Sequence, residues 1–217
     1  MNPVLRTSAA HVFVASLEAP ELDADDAHHL LRVLRLRDGE VVTVSDGLGS
    51  WRTCEVRGEV LLPTGDIVQD PLNLAVTIAS AIPKGDRAEW MVQKLTEVGV
   101  GAIVFLHCAR SVVRWDGERG EKQLAKLRKV AREAAMQSRR TWLPEISGPV
   151  PLAQVLATPG AVVADPAGQP FQGASLVVIG PEGGFTPDEL AAAPAVACLS
   201  PHVLRVETAA LVAAVLS

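Results

Sequence analysis

The stretch that most constrains this chain is Leu176-Val177-Val178-Ile179-Gly180-Pro181-Glu182-Gly183-Gly184-Phe185-Thr186-Pro187-Asp188-Glu189. Four apolar residues rich in β-branched types read as a buried strand. The strand runs into glycines, which let the backbone turn sharply and let a ligand approach the main chain. Thr186 with Glu189 three residues on is a capping box, with Pro187 at the first helical position. Strand, glycine loop and helix in this order predict a ligand site at the C-terminal edge of a parallel sheet. An ordinary glycine turn has the same pattern.

Glu182 decides which ligand suits the loop. A carboxylate among the glycines would repel a polyphosphate, and neither a Lys-Ser/Thr pair nor GxGxxG spacing is present. A cationic or neutral ligand fits better. S-adenosylmethionine qualifies, with a sulfonium, an ammonium and no phosphate.

A second stretch strengthens the reading. Leu204-Arg205-Val206-Glu207-Thr208-Ala209-Ala210 follows the apolar run Ala195-Val196-Ala197-Cys198-Leu199, again a strand entering a helix through a polar turn. The two loops should lie side by side if their strands are neighbours. GPEGGF followed by LRVETA resembles the SPOUT class of methyltransferases. More closely, the chain is similar to the ribosomal RNA small subunit methyltransferase E family. The likeness runs nearly end to end. It takes in His29-Leu30-Leu31-Arg32-Val33-Leu34-Arg35, Pro83-Lys84-Gly85-Asp86-Arg87, Gln93-Lys94-Leu95-Thr96-Glu97-Val98-Gly99 and Glu133-Ala134-Ala135-Met136-Gln137-Ser138.

Composition bounds the alternatives. The chain has 217 residues, 48% of them hydrophobic, enough for two modest domains. A formal charge of −5 means that any nucleic-acid contact must come from a local basic patch. Cys54, Cys108 and Cys198 are scattered, and the histidines lack ligand spacing, so no metal is expected and a reducing cytosol is the expected home. No signal peptide opens the chain, and no apolar run is long enough to span a bilayer. The end at Ser217 predicts a short last helix.

Along the chain, residues 1–70 read as a small β-rich domain. His11 to Val14, Val41 to Val44 and Trp51 to Val56 are strand candidates, the last two joined by the hairpin signal Asp46-Gly47-Leu48-Gly49. A helix over residues 25–36 should bury Leu30, Leu31 and Leu34 and carry His28, Arg32 and Arg35 on another face. That basic face is either solvated or a phosphate contact. Asp70-Pro71-Leu72-Asn73 reads as the domain boundary. Over residues 74–217, strands alternate with helices, which predicts a mostly parallel sheet covered on both faces. A long helix over residues 117–139 has the apolar stripe Leu124, Leu127, Ala131 and Ala134. Lys122, Lys126 and Lys129 occupy one flank, and Arg128, Arg132 and Arg139 another. These cations are either favoured by the helix dipole or form an RNA face.

The resemblance adds expectations of its own. It implies an α/β fold: a SPOUT-type C-terminal domain with a parallel sheet and deep trefoil knot, plus an N-terminal PUA-like β-barrel that helps hold rRNA. It implies S-adenosylmethionine against Ala164, against Ile179, Gly180, Pro181, Glu182, Gly183 and Gly184, and against Leu199, Ser200, Leu204, Arg205, Thr208 and Ala209. It implies 16S rRNA as substrate, contacted by Arg32, Arg35, Lys84, Arg87, Arg128, Arg132 and Arg139, and a cytoplasmic homodimer. The reaction implied is methylation of uridine N3. Arg140 matches the arginine the family places near the target base, where it could hold the uracil anion. Glu207 is a possible base, a partner orienting Arg205, or simply a carboxylate favoured at a helix N-terminus. Arg139 stands where the family often has glycine, Ser200 and His202 where glycine and arginine are common, and Val206 where threonine is frequent. Two other readings stay open: methylation of another RNA atom such as a ribose 2′-hydroxyl, and a non-catalytic RNA-binding or assembly protein.

Overall fold

A computed structural model describes residues 2–71 and 76–217. They form two compact units. One comprises Met1–Asn73 and Arg132–Leu143, the other Leu74–Ala131 and Pro144–Ser217. Leu72 and Asn73 of the expected boundary lie outside the described residues, as does Leu74.

The first unit begins with α1 (Pro3–Thr7), β1 (His11–Phe13) and α2 (Ala24–His28). The Asp23 carboxylate caps α2 by accepting from the Asp26 amide. The helix expected over residues 25–36 does not continue as an α-helix. His29–Val33 forms a π-turn, in which the Leu34 amide reaches back to the His29 carbonyl at 2.9 Å. The wider turn breaks the 3.6-residue spacing. Leu30 is therefore buried and Leu31 half-buried, while Leu34, expected in the core, is 46% exposed. Strands β2 (Val41–Ser45), β3 (Ser50–Arg57), β4 (Val60–Pro63) and β5 (Val68–Gln69) follow. The sheet runs β1-β2-β3-β4 with β5 also paired to β3, so among the described residues the path ends at β1 and β4. β2 and β3 form the expected antiparallel hairpin. Val12, Val42, Val44, Cys54 and Val56 build the core with Leu30.

The second unit contains β6 (Thr77–Ala81), α3 (Arg87–Glu97), β7 (Ala102–His107), α4 (Gly117–Ser138), β8 (Glu145–Pro151), α5 (Leu152–Leu156), β9 (Ala161–Pro170), β10 (Leu176–Ile179), α6 (Pro187–Ala191), β11 (Val196–Cys198) and α7 (Val206–Leu216). Residues of α4 up to Ala131 pack with this unit, and those from Arg132 with the first. The strands form one all-parallel sheet in the order β11-β9-β10-β6-β7-β8. Such a sheet is buried on both faces, and its strands carry continuous apolar runs. Ile78, Ile103, Val177 and Ile179 face one core with α3, α4 and α7. Ala79, Leu106, Val163 and Val178 face the other, with α5 and Phe185. Leu124, Leu127, Ala131 and Ala134 of α4 are all buried, as their spacing predicts.

Candidate functional site

A cavity of about 340 Å³ opens in the second unit beside the middle of β9 and beyond the C-terminal ends of β10 and β11. It is bounded by Ala164 to Pro166, by Ile179 to Glu182 with Gly184 and Phe185, by Cys198 to Ser200, and by His202 to Val206 with Ala209. The strands that feed the two motif loops are not neighbours, because β9 lies between β10 and β11. The loops converge all the same, because β9 leaves its register. Val196 pairs with Val163, but the next residue, Ala197, pairs with Gln169. The residues between them bulge out, carrying Asp165 and Pro166 to the cavity wall. Gly168 lets the bulge close against β11, since a Cβ there would lie 2.6 Å from the Ala197 Cα.

The glycine loop is fixed on several sides. The Gly184 amide donates to the Pro181 carbonyl at 2.8 Å, closing a turn over Glu182 and Gly183. Gly184 has φ +68°, the left-handed conformation that disfavours side chains. A Cβ on Gly180 would meet the Phe185 ring at 2.7 Å. The capping box is formed: the Glu189 amide donates to Thr186 Oγ1 and the Thr186 amide to Glu189 Oε2. Glu189 Oε1 also accepts from the Ala109 amide at 2.8 Å. Beside it, Arg110 Nη1 donates to the carbonyls of Gly183 and Phe185 at 3.0 and 3.1 Å. Neither β7-side anchor is legible locally, because both residues lie more than 70 positions from the loop they hold.

Most of the residues expected at the cofactor line this cavity. Gly183 and Thr208 are outside its wall. A Cβ on Gly183 would face Arg110 at 3.4 Å, an ordinary contact. Sequence reasoning missed Asp165, Pro166, Phe185, Cys198, His202, Val203 and Val206, most of which flank residues it did find. The β9 bulge was the missed signal: Asp165-Pro166-Ala167-Gly168 is turn-forming in type yet sits inside a strand.

Glu207 is the second residue of α7, where the helix dipole favours a carboxylate. It is buried, and its Oε1 lies 3.7 Å from Arg87 Nε, so its basic partner is Arg87 rather than Arg205. Among the described residues, Oε2 has no hydrogen-bond partner. An unpartnered buried carboxylate oxygen is costly unless something else satisfies it.

The remaining cations divide by engagement. Arg32, Arg35 and Lys84 are exposed, with Arg35 at φ 55°. Arg128 donates to the Ile146 carbonyl at 3.0 Å. Lys126 pairs with Glu89 and Lys122 with Glu118. In the first unit, Arg132 grips both oxygens of the buried Asp26 at 3.1 and 2.5 Å, donates to the Phe13 carbonyl and lies over the Phe13 ring. The Asp26 hydrogen bond holds the Arg132 pKa above its usual value. Arg139 Nη2 donates to the Ser8 carbonyl at 3.0 Å.

Arg140 follows the end of α4. The Arg139 amide bonds the Met136 carbonyl and the Arg140 amide bonds the Ala135 carbonyl, with Arg139 at φ 61°. That is a Schellman ending, whose left-handed position usually takes glycine. It explains physically why glycine would suit position 139. Burial pushes the Arg140 guanidinium pKa down from its ordinary value, but an arginine stays charged at neutral pH. A partly desolvated guanidinium interacts strongly with an anion.

Among the described residues, no group of three or more His, Cys, Asp or Glu could hold a metal ion, and no helix is long and apolar enough to cross a membrane. Burial pushes the Cys54 and Cys108 thiols up to about 11 and about 12, which keeps them un-ionised.

Comparison with known proteins gives a consistent picture. Residues 70–217 match a family described as RNA methyltransferase domain, and residues 22–59 one described as RNA methyltransferase PUA domain. The chain is 37% identical to ribosomal RNA small subunit methyltransferase E of Mycobacterium bovis, over 88% of this chain and 83% of that protein. It is 32% identical to the Bacillus subtilis protein of the same name, over 90% and 89%. A methyltransferase of Legionella pneumophila, solved with bound cofactor S-adenosylmethionine, superposes with a TM-score of 0.80 at 28% identity, covering 94% of this chain and 95% of that one. Ribosomal RNA small subunit methyltransferase E of Neisseria gonorrhoeae, solved with S-adenosylmethionine, gives a TM-score of 0.78 at 25% identity over 95% of both chains.

Proposed function

This chain belongs to the ribosomal RNA small subunit methyltransferase E family, and from that premise we propose that it methylates N3 of a uridine in 16S rRNA, using S-adenosylmethionine. The observation that carries the cofactor assignment is the cavity wall. Its volume of about 340 Å³ suits a small ligand. Its carboxylates, Asp165 and Glu182, favour a cation and disfavour phosphate, and Ile179, Leu199 and Leu204 offer apolar surface to a flat base. S-adenosylmethionine fits that donor set. Its methyl group is electrophilic because it sits on a positively charged sulfur. Two relatives solved with the same molecule support the assignment.

The protein's own work is to position and to manage charge. The three loops hold the cofactor and exclude water from it. Uracil N3 carries a proton and is a poor nucleophile until it leaves. Glu207, with an unpartnered buried oxygen, is the proposed acceptor. Arg140 holds the negative O2 or O4 that results. Arg32, Arg35 and Lys84 are exposed cations for rRNA phosphates. Arg87, Arg128, Arg132 and Arg139 would contribute to RNA only beside their internal contacts. The trefoil knot, the homodimer and the cytoplasmic setting belong to the same reading, supported by the family.

The test is mass mapping of 16S rRNA from a strain lacking this chain. The expected result is loss of one N3-methyluridine, restored by the wild-type chain and not by Arg140→Ala. A lost ribose methyl would replace the base assignment. An unchanged map would leave a binding protein.

A further inference from the structure

The backbone of Arg140 is held by a buried polar chain that starts in β1 and that the reaction scheme above does not use. His11 Nε2 lies 3.0 Å from the Arg140 carbonyl and His11 Nδ1 lies 2.8 Å from Thr43 Oγ1. A carbonyl only accepts, so Nε2 carries the hydrogen, and Nδ1 accepts from the Thr43 hydroxyl. Thr43 Oγ1 in turn lies 3.2 Å from Ser8 Oγ, which also reaches the Leu5 and Ala10 carbonyls. His11, Thr43 and Ser8 are all buried. The residues beside Arg140 are tied in the same way. Thr141 offers its carbonyl to Ser45 Oγ and the Gly49 amide, and its hydroxyl donates to Asp70 at 2.8 Å.

We propose that His11 is a positioning residue for Arg140: its imidazole fixes the carbonyl just beyond the helix end and so aims the guanidinium. The inference rests on the assignment of Arg140 to the uracil. The Schellman ending fixes the Arg140 amide on the helix side, through Ala135. The His11 bond fixes the carbonyl on the far side. With both peptide planes set, the Cα–Cβ direction of Arg140 is set, which a side-chain contact alone would not achieve. The bond runs between strand and segment residues 129 positions apart, so it transmits the placement of β1 and β2 directly to residue 140.

The test is single-turnover transfer of labelled methyl groups to small ribosomal subunits by the full chain, in wild-type and Arg140→Ala backgrounds. His11→Leu should lower the rate on the order of 10²-fold, the usual effect of misplacing a reacting group by about an ångström. S-adenosylmethionine affinity, measured by calorimetry, should stay unchanged. His11→Gln, which keeps an N–H, should recover most of the loss. In the Arg140→Ala background His11→Leu should have no further effect, because the group it aims is gone. Its rate should also recover toward alkaline pH, as in Arg140→Ala, since more uracil is then ionised. An equal fold-loss in both backgrounds, or a wild-type rate in His11→Leu, overturns the inference. A wild-type rate in Arg140→Ala overturns the Arg140 assignment and this inference with it, which tells the two failures apart. If His11→Leu does not fold, the near-isosteric Thr43→Val takes its place under the same criteria.

Discussion

In the second unit the cavity is walled by the β9 bulge and by the loops that follow β10 and β11, and its shape depends on Gly180 and Gly184 having no side chain. In the first unit the arginine segment, residues 139–143, is held by side chains of β1 and β2 and by the residue after β5. His11, Ser45 and Asp70 reach into it, and Arg132 is locked on Asp26 in the last two turns of α4. The two constructions fail differently. A site shaped by a glycine turn fails when a glycine is filled. A side-chain-built site fails when one partner of a buried polar pair is removed, because the other is left without solvent.

The largest effect expected from that contrast is at Arg132. Asp26 is 4% exposed, and both its oxygens are held by the Arg132 guanidinium. Arg132→Ala leaves that carboxylate buried and unpaired, which costs about 3–5 kcal/mol. Thermal unfolding of the full chain should show it. Adding Asp26→Ala to Arg132→Ala should recover part of the loss, since no buried charge then remains. An Arg132→Ala chain of wild-type stability but weaker RNA binding would make Arg132 an RNA residue instead.

A somewhat smaller effect concerns His11. Burial pushes its pKa down to about 4 from 6.5, with the positive charge of Arg139 adding to the shift; the Arg140 carbonyl and Asp70 act against it. Because the folded pKa lies below the unfolded one, the unfolded chain binds the proton first. The contribution is fully present above pH 6.5 and is lost as pH falls toward 4. It amounts to roughly 3 kcal/mol over that window. The stability difference between wild type and His11→Gln should therefore shift by about that much between pH 7.5 and pH 4. Carboxylates common to both chains cancel in the difference. A pH-independent difference would show that the imidazole is solvated.

The same contrast decides what could be read from the chain. The glycine loop, the capping box of Thr186 and Glu189 and the apolar strands are local signals, and Leu176–Ile179 and Pro187–Ala191 lie where they predict. The Asp26–Arg132 pair and the His11 chain join residues more than 100 positions apart, and no local pattern announces them. The basic flank of α4 read equally well as a solvated face or an RNA face. Internal partners for Arg128 and Arg132 became visible only once the fold set their neighbours. The π-turn at His29–Val33 escaped because its residues have ordinary helical composition. Strand β8, with Gly148 and two prolines, escaped because it lacks the usual strand composition.

The smallest effect is the sharpest probe of the glycine turn, because it sets two adjacent glycines against each other. Gly184 adopts φ +68°, so Gly184→Ala imposes a strain of roughly 1–2 kcal/mol. In the free protein the loop relaxes to relieve it, and binding must restore it, so the strain appears in the affinity. S-adenosylmethionine should bind Gly184→Ala about 5- to 30-fold more weakly by calorimetry. Gly183 is outside the left-handed region, and its added Cβ would meet Arg110 at 3.4 Å, an ordinary contact pointing away from the cavity wall. Gly183→Ala should bind within about twofold of wild type, since an exposed substitution without strain is worth only tenths of a kcal/mol. Equal losses in the two variants would return Gly183 to the wall. No loss in either would take the glycine turn out of the binding site and leave Asp165 and the loop after β11 to hold the cofactor.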